Sequence, residues 1–251
     1  MNSRSALVSF VIGSAALLML SACPPRTPVR PGPEGSPVWV RFNFISGGAP
    51  FNANMNAADG TGHVIRFSQL RFIASDFILS GADETVLADF TGEAMVPGLG
   101  LAAGVQSLGR VGDIHPTWVH FKLGLDSVLN HTDPTSVGFP LHAPGLHWHW
   151  NPAAGFKFLE IEGHADANGD GDTVDAEDQI FVYHCAMDEL LRFDSVAVQP
   201  SWVNGTLILD VAVDVDLLLQ GIDLVAVPTA MGNAPACAQL MDNLVQAIRE
   251  Q

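Results

Sequence analysis

Val38-Trp39-Val40-Arg41-Phe42-Asn43-Phe44 sets Val38, Val40, Phe42 and Phe44 on one side of an extended chain and Trp39, Arg41 and Asn43 on the other. A period of two marks a half-buried strand, where a helix would repeat every 3.6 residues. The same alternation returns in Val64-Ile65-Arg66-Phe67 and in Phe156-Lys157-Phe158-Leu159-Glu160-Ile161-Glu162. Further strands are expected over residues 69–79, 118–123, 179–184 and 206–218. Turn formers separate them, among them Ser46-Gly47-Gly48, Asp59-Gly60, Pro97-Gly98 and Pro152. Two segments read as helical: residues 235–250, with Leu240, Leu244 and Ile248 on one face, and a short turn at 102–107. The pattern predicts an all-β fold, an antiparallel β-sandwich or barrel-like domain with a C-terminal helix, and no internal repeat.

Ahead of this domain, Met1-Asn2-Ser3-Arg4 precedes an apolar run to Leu20 and then Leu20-Ser21-Ala22-Cys23. A charged start, a short apolar core and small residues form a secretory signal, too short for a membrane span. Leu-Ser-Ala-Cys also has the form of a bacterial lipobox, so residues 1–23 are expected to be a lipoprotein signal with Cys23 lipidated. An ordinary cleaved signal is the alternative. Residues 24–36 hold five prolines and two glycines and read as a stiff tether. Residues 37–251 remain as one domain. The expected location is periplasmic or cell-surface, with the membrane touched through the lipid alone.

With 27 acidic and 11 basic residues the net charge is −16, which argues against nucleic acid and anionic lipid headgroups as partners and is compatible with cations. Two cysteines follow Cys23. In an exported chain Cys185 and Cys237 are most simply one disulfide. A thiolate–histidine metal site is the alternative, since Cys185 follows His184.

Two segments point to cations. Between His115 and His149 lie six of the nine histidines, and the stretch closes on His147-Trp148-His149-Trp150. In an extended chain His147 and His149 share one face and the tryptophans the other. Imidazoles so paired suit copper or zinc, and equally suit hydrogen-bonded positions at a strand end. The second segment is Asp166-x-Asn168-x-Asp170-Gly171-Asp172, continuing to Glu177. Oxygen ligands at alternate positions, a glycine at the sixth and a glutamate at the twelfth match a calcium loop. Strands flank it, so calcium is expected without a helix–loop–helix fold, with a solvated acidic turn as the alternative.

Phe121-Lys122-Leu123-Gly124-Leu125, running on to Asn130-His131, is followed by Leu146-His147-Trp148-His149-Trp150-Asn151-Pro152 and Gly155-Phe156-Lys157-Phe158-Leu159-Glu160-Ile161-Glu162-Gly163. With Ile65 to Asp76 upstream and Val182-Tyr183-His184 downstream, this order resembles the MbnP-like copper-binding family over nearly the whole chain after the tether. The resemblance implies an exported β-domain that binds copper and partners a MauG-like di-haem cytochrome peroxidase. That partner oxidises a tryptophan to kynurenine, and the matching positions are Trp148 and Trp150. His131 and His184 match family histidines and are the leading copper ligands, with His147 and His149 as further ones at positions the family fills otherwise. Leu146, Phe156 and Ile73 depart from the family's usual methionine and tyrosines, and Ala153-Ala154 lengthens the turn.

No His-x-x-x-His on a helix, Cys-x-x-Cys or Gly-x-Ser-x-Gly occurs, so a hydrolase has little support; with the resemblance, the sequence reads as a copper binder rather than an enzyme. Two rivals are a copper-dependent oxidase and a calcium-stabilised structural or adhesive lipoprotein.

Overall fold

The computed structural model describes residues 35–99 and 107–251. The signal segment with Cys23, the tether up to residue 34 and all but the last residue of the 102–107 turn lie outside them. In chain order the strands are β1 (Ser36–Ser46), β2 (Ala49–Pro50), β3 (Ala57–Ala58), β4 (Val64–Phe72), β5 (Ala74–Ser80), β6 (Val86–Met95), β7 (Ser107–Val111) and β8 (Trp118–Leu123). A short helix α1 (Ser127–Asn130) precedes β9 (Lys157–Ala165), β10 (Gln179–Ala186), β11 (Arg192–Ala197), β12 (Ser201–Val203) and β13 (Thr206–Asp214). The chain ends with α2 (Val215–Leu218), β14 (Thr229–Gly232), α3 (Pro235–Ala247) and β15 (Ile248–Glu250). Among the described residues no helix is long and apolar enough to cross a membrane.

Three sheets form. The first runs β12-β13-β1-β2, with β15 on β13 and β7 on β1. The second is β14-β10-β9-β4-β3, and the third is β11-β8-β5-β6. The all-β fold with a C-terminal helix is as expected and its pairings are mostly antiparallel, the third sheet wholly so, while the first and second sheets each contain one parallel pair. β1 pairs β13 in parallel, from Val38↔Leu207 to Ile45↔Asp214, and β10 pairs β14 in parallel, from Val182↔Thr229 to Cys185↔Gly232. Both pairs join strands far apart in sequence, where no hairpin imposes an antiparallel course.

Alternation along β1 carries the core: Val38, Val40, Phe42 and Phe44 are buried. Phe42 meets Phe72 of β4 edge-on at 5.4 Å and Phe121 of β8 at 5.7 Å. The three sheets therefore close on one aromatic cluster. β4 and β5 are one chain that leaves the second sheet for the third at Ile73, whose N–H donates to Phe158 while its carbonyl accepts from Gly124. Gly124 has φ +104°, and a Cβ there would overlap the Phe158 ring. The Phe-x-Leu-Gly motif is thus a steric requirement.

Three expected boundaries move. Ser68, taken as a break, is a bulge within β4. The strand expected over 206–218 stops at Asp214, whose carboxylate accepts from the N–H groups of Asp216 and Leu217 and caps α2. The helix expected to 250 ends at Ala247, because Ile248–Glu250 pair with Val211–Val213 on an edge that needs partners.

Candidate metal centre

β9 and β10 bring the polar side chains together. Period-two alternation sends Leu159, Ile161 and Gly163 of β9 inward and Glu160 and Glu162 to the other face. His184 of β10 stands opposite Glu160 on one side and, across the parallel pair, opposite Met231 of β14 on the other. Its Nε2 donates to Glu162 Oε1 at 2.6 Å. Carboxylate and imidazole oxygen and nitrogen atoms of Glu160, Glu162 and His184 lie within 4.8 Å of one another.

Glu160 is not free, however. Its side chain is 2% exposed and its two oxygens accept from Arg71 Nε and Lys157 Nζ. At 3.9 Å from His184 it sets the charge of the site rather than offering a ligand. Glu162, 38% exposed, and His184 are the accessible donors, and the proton between them is the one a metal ion would displace.

The loop after α1 lies over this face. His147 makes an isolated bridge to Phe156, and the residues beyond it turn: His149 N–H donates to His147 O and Asn151 N–H to Trp148 O. The extended course expected at 147–150 is thus confined to one bridge, because Pro152 and Gly155 fold the chain straight back. The division of faces survives. Trp148 is buried at 6% exposure beside His184, with ring centroids 6.4 Å apart, and packs with Ala186 and Met187. Trp150, 70% exposed, lies on Trp148 at 5.3 Å. His147 instead sets its ring against Phe156 and, with His149, lines a separate cavity. Burial, the nearby His149 and the charge of His131 hold the His147 imidazole below its ordinary pKa against the pull of Asp133.

His131 reaches the centre indirectly. It follows α1, and its Nε2 donates to Asp188 at 3.2 Å. Asp188 also accepts from Ser127 Oγ at 2.6 Å and Asn130 Nδ2 at 2.7 Å, bonds that depress its carboxyl against the opposing effect of burial. Met187, the residue before it, touches Trp148. Buried Asn130 accepts from Phe156 N–H, fixing the loop at its far end. Gly155, at φ +68°, leaves room for Asn130 where a Cβ would overlap it.

A disulfide joins Cys185 to Cys237 of α3, with Cα atoms 5.1 Å apart, so no thiolate stands beside His184. The acidic loop lies elsewhere. Asp166 is buried and accepts from Gly169 N–H and Gly171 N–H, while Asn168 Oδ1 accepts from Asp170 N–H. Oxygens of Asp170, Asp172 and Asp175 converge within 4.8 Å. Asp175 takes the place expected for Glu177, which is exposed and donates its N–H to Asp175.

The MbnP family profile matches residues 35–237, and with them every residue of this centre. The chain belongs to the MbnP family. The fold is also that of MbnP from Methylosinus trichosporium, with a TM-score of 0.52 at 17% identity over 81% of this chain and 86% of that one. No curated protein matches the sequence. Within the MbnP span, the tryptophan pair and the strand histidine meet at one place. Met187, Met231, Glu162 and Asp188 join them without having been singled out in the sequence. Only Glu162 left a trace there, as a polar position in an alternating strand.

Proposed function

We propose that this MbnP-family chain is an exported, lipid-anchored copper-binding protein serving copper storage, delivery or homeostasis. The observation that carries this reading is buried Trp148, which lies beside His184, belongs to a small cluster that Met187 packs against and is in ring contact with exposed Trp150. Imidazole and thioether donors around a polarisable ring suit copper better than hard cations, which take oxygen ligands alone. The donor set fits: His184 and Glu162 would hold the ion, with Met231 beside His184 and His131 tethered nearby through Asp188. Bound copper would supply a one-electron redox couple. The chain supplies the rest, with Glu160 neutralising Arg71 and Lys157 and Trp148 shielding His184 from water.

On the same reading Trp148 or Trp150 is a substrate for oxidation to kynurenine by a MauG-like di-haem peroxidase. Of the two, Trp148 lies beside the ligands. Elemental analysis of protein purified from its native membrane tests the copper assignment. The wild type is expected to carry close to one copper and His184→Ala almost none; copper-free wild type would defeat it. Mass spectrometry of the peptide bearing both tryptophans tests the partner, with kynurenine expected at Trp148.

A second reading is favoured by the convergence of Asp170, Asp172 and Asp175. Desolvation and the charges of Asp178, Glu177 and Asp170 push the Asp175 carboxyl up, against the bond it accepts from Glu177, a repulsion calcium would relieve. Calcium there is structural, in the loop that joins β9 to β10. Calorimetry at millimolar calcium should register uptake in wild type and none in Asp170→Asn.

A further inference from the structure

His142, His147 and His149 line one open cavity of about 640 Å³, walled also by Leu141, Thr135 and Gly145. Among the described residues, these three imidazoles have no hydrogen-bond partner for their ring nitrogens. His63, His120, His131 and His184 each bond an oxygen. His147 Nδ1 is also sealed from solvent without a partner. Buried polar atoms are paired in the great majority of cases, so the imidazole that carries this unpaired nitrogen is an exception, and it shares one cavity wall with two more imidazoles. Asp133 lies near enough for its charge to act on His147, and the chain's net charge of −16 draws cations to such a cavity.

We propose that His142, His147 and His149 form a second cation site, for a divalent borderline transition ion such as Zn2+, on the face of the loop turned away from Trp148. The walls offer imidazole and no sulfur, which separates this site in chemistry from the thioether-flanked His184. His147 is the fixed member, held by its bridge to Phe156 and its ring contact there. His142 and His149 are exposed, and their rings must swing inward, since the three do not meet the 4.8 Å mutual spacing of the Glu160–Glu162–His184 cluster. The inference does not depend on copper or on tryptophan oxidation.

The test is calorimetric titration of the metal-free full-length protein with Zn2+, alongside the visible absorption of Co2+ added in its place. Wild type and His184→Ala are each expected to bind one equivalent in this site with the same affinity. The double variant His142→Ala/His149→Ala should lose at least an order of magnitude in affinity together with the Co2+ band. Both rings are exposed, so the metal-free double variant should melt with the wild type, which separates lost ligands from lost fold. Absence of uptake by wild type overturns the proposal, as does undiminished uptake by the double variant. Loss of uptake in His184→Ala overturns it too, by placing the ion at Glu162 and His184. Copper retained by the double variant and lost by His184→Ala keeps the two sites apart.

Discussion

Glu160 sits between two cations in a nearly dry position, so its removal strands Arg71 and Lys157 rather than merely deleting a contact. Glu160→Gln should cost about 3 kcal/mol of stability, read by denaturant unfolding, and adding Lys157→Met should recover much of it. Asp194 is the opposite case. Its Oδ2 is buried without a partner, and burial pushes its carboxyl up to about 6 against one bond from Ser195 N–H. Above that pH the folded state carries a poorly solvated charge, and the penalty fades as pH falls from 6 toward the ordinary 3.8. Asp194→Asn should therefore stabilise by about 1 kcal/mol at pH 7, allowing for solvent screening, and by nothing near pH 4. Thermal melts at both pH values decide it. Trp148, Trp150, His131 and His184 were legible in the sequence because they sit in ordered motifs. Met187, Met231 and Asp188 were not, because a parallel strand and a loop far along the chain bring them in, and no local pattern encodes those pairings.

At the level of elements, alternation located β1, β8, β9 and β10 well, since each has one face in the core. It failed where local hydrogen bonding outweighed pattern. Asp214 turns an apolar run from strand to helix, and the free edge of β13 recruits the end of an amphipathic run as β15. The 147–150 segment failed for the same reason, with Pro152 and Gly155 enforcing a turn. The link between β10 and α3 is covalent. Cys185 and Cys237, 52 residues apart, are both fully buried. Replacing both with serine should cost about 4 kcal/mol from the freed loop alone, measured by urea unfolding. Because Cys185 follows His184, the same variant should also weaken copper retention. Retention as in wild type would show that β10 holds its register through β9 and β14 alone.

Over the whole molecule, 27 acidic residues against 11 basic ones make self-repulsion a standing cost. Raising salt from about 10 to about 300 mM should lift the melting temperature by a few degrees, since screening acts more on this surplus than on the few exposed ion pairs. A fall would place the weight on pairs such as Arg41–Asp210. The parallel seam between β1 and β13 has a kinetic meaning as well. β13 is made only after β2 to β12 have followed β1, so the apolar face of β1 must wait through their synthesis for its parallel partner. Such a long-range closure makes folding slow and leaves β1 as the strand most in need of a holding chaperone until the C-terminal half arrives.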